Sequence, residues 1–283
     1  MVVERDDWMD NQHYVLQAKD VNISVNSTQG RLPLVHDLHL SLKPGKVLGL
    51  VGESGSGKTI TCMALLQLLN PKTTRIGGSI QLNGRELNGL KPKEMRNVLG
   101  KEIGYIMQNP MNAFTPVYTI GSQFVETIRT HTPLTKKQAI ELAVSSMAAM
   151  DLQEPDQLMR MYPFQLSGGM LQRVMIAISM CLRPSVLIAD EPTTALDVTS
   201  QMQVLSELDR LRKECGTSIL LISHDLGVIS ALADEVAVMQ KGRIVEKADV
   251  FQLFDQPQHP YTKKLLQARP VLPMEYEREK LVI

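Results

Sequence analysis

The run Gly52-Glu53-Ser54-Gly55-Ser56-Gly57-Lys58-Thr59 sets glycines, a lysine and a hydroxyl at a spacing that suits one chemistry, the grip of a polyphosphate. Gly52, Gly55 and Gly57 carry no Cβ, so the backbone can bend closely and turn successive N–H groups into one anion-binding concavity. The apolar stretch Val47 to Val51 before the run reads as a strand, and the pattern after it reads as a helix whose positive end adds to the pocket. Lys58 can then reach the β- and γ-phosphates as a point charge, and the Thr59 hydroxyl can ligate Mg²⁺. A Gly/Ser-rich surface loop is the bland alternative. The strand before, the helix after and Lys-Thr in register speak against it.

A second constellation is Val186-Leu187-Ile188-Ala189-Asp190-Glu191, an apolar strand that delivers two carboxylates at its C-terminal end, where ligands sit in open α/β sheets. Asp190 is placed to hold Mg²⁺ through its water shell. Glu191, pointing elsewhere, can accept a proton from an attacking water. A strand ending in two acids is common by itself; paired with the phosphate cradle it points to phosphoanhydride hydrolysis.

Between the two lies Leu166-Ser167-Gly168-Gly169-Met170. Ser167 suits a helix N-cap, and Gly168 and Gly169 leave amides open at the positive end of that helix. Standing alone, the turn is an ordinary Ser-capped helix; in this position it resembles the signature of the ABC-type ATPases. The resemblance covers about residues 15 to 268. It implies an α/β fold, a P-loop NTPase core with an antiparallel β subdomain and an inserted α-helical subdomain, and ATP and Mg²⁺ as cofactors. It assigns nucleotide contacts to Gly52, Glu53, Ser54, Gly55, Ser56, Gly57, Lys58, Thr59 and Ile60, and a clamp on the nucleotide of a second subunit to Ser167, Gly168 and Gly169. Gln108 matches the Q-loop glutamine, Ala195-Leu196-Asp197 the D-loop, and His224 the switch histidine near the γ-phosphate. Outside the family these would read as a surface amide, an acid at a helix start and a loop histidine. The implied catalytic set is Glu191, His224, Gln108 and Lys58; Asp197 joins the nucleotide contacts, and Thr59, Gln108 and Asp190 form the metal set. The chain departs from the family twice. Met170 replaces a glutamine that could hydrogen-bond, and the first-strand end, Ile23-Ser24-Val25-Asn26-Ser27, lacks the aromatic residue on which adenine usually stacks, Tyr14 lying before the strand.

The elements that must position these residues follow from the rest of the chain. Its 283 residues have room for one large domain or two small ones, with 43% hydrophobic and 21% charged residues typical of a globular protein. The formal net charge of +0 gives no bulk attraction to nucleic acid or anionic membrane. Cys62, Cys181 and Cys215 are too dispersed for a metal cluster or disulfide framework and are expected to be reduced thiols. No apolar run reaches the roughly 18 residues a bilayer span needs, and the start is acidic where a secretory signal would be basic. Residues 1–13 read as a loose tail, 14–255 as the ATPase domain with a helical insert over about 109–182, and 256–283 as a C-terminal extension.

Rough alternation predicts antiparallel strands over Val15 to Val25 and Leu34 to Leu42, and Asn83-Gly84 predicts a hairpin within Ser79 to Leu87. Further strands are expected at Ile103 to Met107, Ser185 to Ala189, Ser218 to Ile222 and Val236 to Met239. Helices are expected over Thr59 to Leu69, from Ser167 to about Leu182, over Thr199 to Lys213 and over Leu226 to Leu232. Thr135 and Gln138 form a capping box, Gly216 suits a helix end, and Lys241-Gly242 a turn. Alternation of strand and helix implies a mainly parallel sheet. A short helix and an unassigned tail follow Asp249.

Pro257-Gln258-His259-Pro260-Tyr261-Thr262-Lys263-Lys264-Leu265-Leu266 reads as a loop feeding a helix whose first turn tolerates Pro260, and it resembles a segment of the peptide and nickel importer ATPases. Within that branch, residues 167–173, Ile106-Met107-Gln108-Asn109-Pro110 and a short tail without extra cysteines look most like the nickel-import ATPases, with dipeptide or oligopeptide import as the alternative. The implied partners are a homologous ATPase subunit, in a heterodimer rather than a homodimer, two transmembrane permease subunits, and an extracytoplasmic substrate-binding protein acting indirectly. The implied place is the cytoplasmic face of the cell membrane, with no nucleic acid bound. A soluble ABC-type ATPase acting on DNA or ribosomes would call for a basic face, a second ATPase unit, or a coiled-coil or zinc insert. The sequence displays none of these. Its 16 methionines fall mostly at core-like positions and its six histidines are scattered, so neither is read as a metal-ligand set.

Base–aromatic stacking is worth about 1–3 kcal/mol in related contexts. Without it base selectivity is expected to be weak, and GTP should compete well with ATP in nucleotide competition. Strict ATP preference would count against this.

Overall fold

The computed structural model describes residues 13–28, 30–194 and 196–267. All of the expected N-terminal tail but His13, and the extension beyond Gln267, lie outside the described residues. In chain order the elements begin with β1 (Leu16–Ser27), β2 (Gly30–Leu42), β3 (Val47–Val51), α1 (Lys58–Leu65), β4 (Thr74–Leu82), β5 (Arg85–Glu86), α2 (Pro92–Val98) and β6 (Ile103–Ile106). A helical stretch follows, α3 (Ile120–His131), α4 (Lys136–Ala148), α5 (Pro155–Leu158) and α6 (Gly168–Met180). The chain then alternates through β7 (Val186–Asp190), α7 (Val198–Cys215), β8 (Ser218–Ile222), α8 (Leu226–Leu232), β9 (Glu235–Gln240) and β10 (Arg243–Asp249), and closes with α9 (Val250–Asp255) and α10 (Pro260–Gln267).

The central sheet has the order β10-β9-β3-β8-β7-β6. β9, β3, β8, β7 and β6 run parallel, and β10 pairs antiparallel with β9. All residues of β3, β7 and β8 are buried, as a parallel sheet covered on both faces requires. Their alternate residues serve two cores. Leu48, Leu50, Val186, Ile188, Leu220 and Ile222 pack with α1 and the antiparallel strands, whereas Val47, Val51, Leu187, Ala189, Ile219 and Leu221 pack with α3, α4 and α6 to α9. That double duty explains why these strands read as continuous apolar runs. The second sheet, β2-β1-β4-β5, is antiparallel and supplies Leu16, Ile23, Leu38, Leu40, Leu42, Ile80 and Leu82 to the first of these cores.

Local chemistry fixes many of the ends. In α4 the Gln138 N–H donates to Thr135 Oγ1 (3.3 Å) and the Thr135 N–H to Gln138 Oε1 (2.9 Å), the reciprocal capping box. Gly216 ends α7 at φ 69°, and Asn83-Gly84 and Lys241-Gly242 turn their hairpins with positive φ at both residues. Some boundaries differ from the sequence reading. α1 ends at Leu65, and the chain reaches Asn70 through turns in which Gln67 adopts φ 54°. β6 stops at Ile106, leaving Met107 outside the ladder. α2 went unpredicted because it begins at Pro92 after Lys91, a residue with no capping oxygen; Glu94 accepts the Lys91 N–H (2.9 Å) instead. Among the described residues no helix is long and apolar enough to cross a membrane.

An ion triad ties the two sheets together. Glu235 at the start of β9 takes Lys43 Nζ, just past β2, at 2.7 Å and Lys247 Nζ of β10 at 3.1 Å. Burial works to raise the Glu235 pKa, but the hydrogen bond from Lys43 and the charge of Lys247 outweigh it and hold it below the usual value. A depressed folded-state pKa means that the ionised group stabilises the fold above roughly pH 4.5 and that this contribution is lost as pH falls through the lower, folded value. Glu235→Gln should therefore lower the melting temperature at pH 7, with the gap to the wild type closing toward pH 3 in thermal unfolding. A gap independent of pH would remove the triad from this role.

Candidate functional site

Because five strands run parallel, their C-terminal ends share one edge of the sheet. β3 leads there into the loop Gly52 to Gly57, β6 into Gln108, β7 into Glu191 and β8 into His224. The loop closes around its own lysine. Lys58 is buried, and its Nζ donates to Gly52 O (2.7 Å) and Glu53 O (3.1 Å). The first helical hydrogen bond is made by the Thr61 N–H to Gly57 O (3.0 Å), so the amides of Lys58, Thr59 and Ile60 precede the ladder at the positive end of α1. Gly55 holds φ 79°, a conformation that an L side chain resists. At Gly52, with φ 157°, space is a further constraint: a Cβ there would lie 2.2 Å from Met239 O in β9. The β9–β10 turn braces the loop, since the Gly242 N–H donates to Ser56 O (2.8 Å) while Gly242 O accepts the His36 N–H (2.8 Å).

Asp190 is only 4% exposed. Burial, and then the neighbouring Glu191 charge, push its pKa up to about 6 against the pull of Lys58. Burial lowers the Lys58 pKa in turn, opposed by Glu191 and Asp190. A buried carboxylate beside a second carboxylate and a single ammonium is electrostatically suited to a further cation. Asp190, the exposed Thr59 hydroxyl and the Gln108 side-chain oxygen are the hard oxygen donors that Mg²⁺ favours, so the residues fit that ion. Gln108 itself is exposed, two residues past the Ile106–Ala189 pairing that joins β6 to β7.

Glu191 stands at φ 53°, its N–H bound to Ile222 O (2.8 Å) of β8. One carboxylate oxygen accepts the His224 N–H (3.0 Å) and lies 2.7 Å from His224 Nδ1; the other accepts Thr194 Oγ1 (2.9 Å). The structure thus joins the acid at the end of β7 directly to the histidine after β8. The parts that Thr194, Met239 and Gly242 play at the site escaped the sequence reading, which had Met239 only as a strand end and Gly242 only as a turn residue, because nothing in their local pattern points to these contacts.

The signature turn is organised within its own helix. Ser167 is exposed and caps α6 by accepting the Met170 N–H (3.3 Å), a Cβ on Gly168 would meet only open space, and one on Gly169 would lie 3.6 Å from Leu196. Met170 is half-buried against the helical core. Ala195 lies outside the described residues; Asp197 caps α7, accepting from the Ser200 N–H (3.0 Å) and Oγ (2.6 Å). These residues contact their own helices and each other's flank, whereas the loop, Asp190, Glu191 and His224 form the strand-end cluster. One group of potential metal ligands lies elsewhere. Asp20, Asp37 and His39 bring ligand atoms within 4.8 Å on the antiparallel sheet, where His39 Nε2 lies 3.3 and 3.7 Å from the carboxylates of the two exposed aspartates.

The model of the family described as ABC transporter matches residues 35–194. The chain is 43% identical over 263 residues to the oligopeptide transport ATP-binding protein OppD of Escherichia coli (strain K12), covering 93% of this chain and 78% of that protein. It is 40% identical over 264 residues to a putative peptide import ATP-binding protein of Brucella abortus (strain 2308), covering 93% and 80%. A dimeric structure of a post-hydrolysis state of the ATP-binding cassette MJ0796 bound to ADP and Pi superposes at a TM-score of 0.75, with 22% identity over 83% of this chain and 98% of that one. CbiO1 of Clostridium perfringens, part of the ABC transporter complex cbiONQ, does so at 0.72, with 23% identity over 87% and 92%. The fold is the ABC ATPase fold. The chain belongs to the ABC transporter family, as an ATP-binding subunit.

Both loop glycines hold a positive φ, 79° at Gly55 and 157° at Gly52, and of the two only Gly52 adds a collision. Gly55→Ala should cost about 1–2 kcal/mol through φ alone, whereas at Gly52 the collision with a strand carbonyl should bring an overpacking cost of about 1–3 kcal/mol or more and disrupt nucleotide binding. Thermal unfolding and nucleotide titration of both variants check this, and a Gly52→Ala protein as stable and as competent as Gly55→Ala would contradict it.

Proposed function

We propose that this chain is the ATP-hydrolysing subunit of an ABC importer of peptides, peripheral at the cytoplasmic face of the membrane. The convergence of the glycine loop, Asp190, Glu191 and His224 at one sheet edge carries the reading. In it, phosphate oxygens replace the Gly52 and Glu53 carbonyls as partners of Lys58, and the loop and first-turn amides between Gly52 and Ile60, other than the Glu53 N–H held by Tyr261, hold the rest of the polyphosphate. Asp190, Thr59 and Gln108 would hold Mg²⁺, which would supply neutralisation of phosphate charge. Glu191 accepts the proton of the attacking water through the lone-pair capacity left by His224 and Thr194, and His224 stands beside it toward the γ-phosphate. Ser167, Gly168 and Asp197, exposed on their helix ends, and the half-buried Gly169 face the nucleotide of a second, homologous ATPase subunit.

An apolar surface beside Gln108 supports docking of the two transmembrane permease subunits. Val117 is 72% exposed and Phe164 64%, with Met111, Tyr118 and Tyr162 also exposed, and the Ile120 N–H to Met161 O bond (2.8 Å) joins the two segments. Cargo is read from relatives named for oligopeptide transport and peptide import. Likeness over 93% of the chain favours peptide over nickel, a reading that rests on the short motifs around Gln108 and Ser167 and on the tail. An extracytoplasmic binding protein would then deliver the cargo on the far side.

Glu191→Gln should cut ATP turnover about 100- to 10,000-fold while Mg-ATP binding persists and an ATP-bound dimer accumulates on size exclusion. In membranes carrying the permeases the wild type should drive uptake of labelled peptide and the variant should not. Undiminished turnover would displace Glu191 from its role, and uptake of radioactive nickel without peptide uptake would return the cargo to metal.

A further inference from the structure

The segment after β10 returns to the phosphate loop. Glu246 in β10 accepts the N–H groups of Gln258 (2.8 Å) and His259 (3.0 Å), and His259 Nδ1 accepts the Tyr261 N–H (3.2 Å), which seats the start of α10. Tyr261 is 7% exposed, its ring within the larger core, and its phenolic oxygen accepts the backbone N–H of Glu53 at 3.0 Å. That N–H belongs to the same planar peptide unit as the Gly52 carbonyl, to which Lys58 Nζ donates at 2.7 Å. One rigid plate at the head of the loop is therefore held at one edge by the C-terminal helix and at the other by the loop's own lysine. Beside this contact Glu53, Gln240, His259, Pro260, Tyr261 and Lys264 line an open cleft of about 330 Å³.

We propose that Tyr261 is a positioning residue for nucleotide binding: it fixes the Gly52–Glu53 peptide when Lys58 leaves the Gly52 carbonyl for a phosphate. The role rests on the reading of this loop as the ATP site. Before nucleotide arrives, two bonds hold the plate. Once the ammonium has moved to the polyphosphate, the phenol is the remaining anchor of the two, and the loop keeps its curvature through a ring bedded in the core. The C-terminal helix thereby contributes to affinity without touching the reacting atoms.

Tyr261→Phe in the full chain keeps the ring and removes the acceptor. The dissociation constant for Mg-ATP should rise about three- to tenfold, the effect of losing one buried hydrogen bond, and KM should follow while kcat at saturation stays within about twofold. Hydrogen exchange over residues 52–56 should accelerate with nucleotide bound, and the melting temperature of the nucleotide-free protein should change little. Affinity and exchange equal to those of the wild type would overturn the role, as would a loss confined to kcat or a general loss of stability without a change in affinity. A wild-type chain that binds no Mg-ATP would overturn the nucleotide-site reading together with this one, whereas binding by the wild type and equally by Tyr261→Phe overturns the positioning role alone.

Discussion

Parallel pairing of β6, β7, β8, β3 and β9 sends every one of these strands toward the same edge, and burial on both faces leaves the lengths of β3, β7 and β8 no freedom to carry chemistry. A side chain along β7 or β8 belongs to one core or the other. Polar function is displaced to the positions just beyond the strand ends, where the backbone leaves the ladder. Loop residues 52–57, Gln108, Glu191 and His224 occupy those positions, and Asp190 is the last residue of its strand. The site thus follows from strand direction before any side chain is considered.

Within it the charges are mutually unrelieved. Lys58, Asp190 and Glu191 are all buried, and burial moves the lysine and Asp190 toward their neutral forms while each charge resists the change in the other. The loop partly offsets this by turning two carbonyls onto the ammonium. A magnesium polyphosphate carries the complementary pair, anionic oxygens for the lysine and a hard cation for the aspartate. In the proposed function, binding of both at once completes a charge set that the folded chain leaves open.

The loop is held less by its own residues than by what surrounds it. Gly242 in the β9–β10 turn binds Ser56 O and also His36 of the antiparallel sheet, so one turn links the cradle to both sheets. Met239 leaves no room for a Cβ at Gly52, and Tyr261 fixes the peptide that follows. Turn, strand and C-terminal helix meet the cradle from separate directions, consistent with a loop that must keep its curvature while its lysine changes partners.

Much of this was legible residue by residue. The loop and its flanking strand and helix, the capping box at Thr135 and Gln138, the glycine stop at Gly216, the Asn83-Gly84 and Lys241-Gly242 turns and the bounds of β8 and α8 all follow from short-range chemistry, and each stands in the structure. The acids at the end of β7, Asp190 and Glu191, were visible as residue types. Their bonding was not, since Glu191 meets His224 across 33 positions and Tyr261 meets Glu53 across 208. α2 escaped because Lys91 before it has no capping oxygen, and the segment from Pro257 to Leu266 was legible as a loop feeding a helix with Pro260 in its first turn, as α10 is, but what that helix touches was not. The sequence by itself determined which residues could bind phosphate, hold a cation or take a proton, because those capacities reside in side chains and local backbone freedom. Only the tertiary structure decided which of them meet, because parallel strands bring distant ends to one edge and a buried phenol finds its partner through packing that no local pattern encodes.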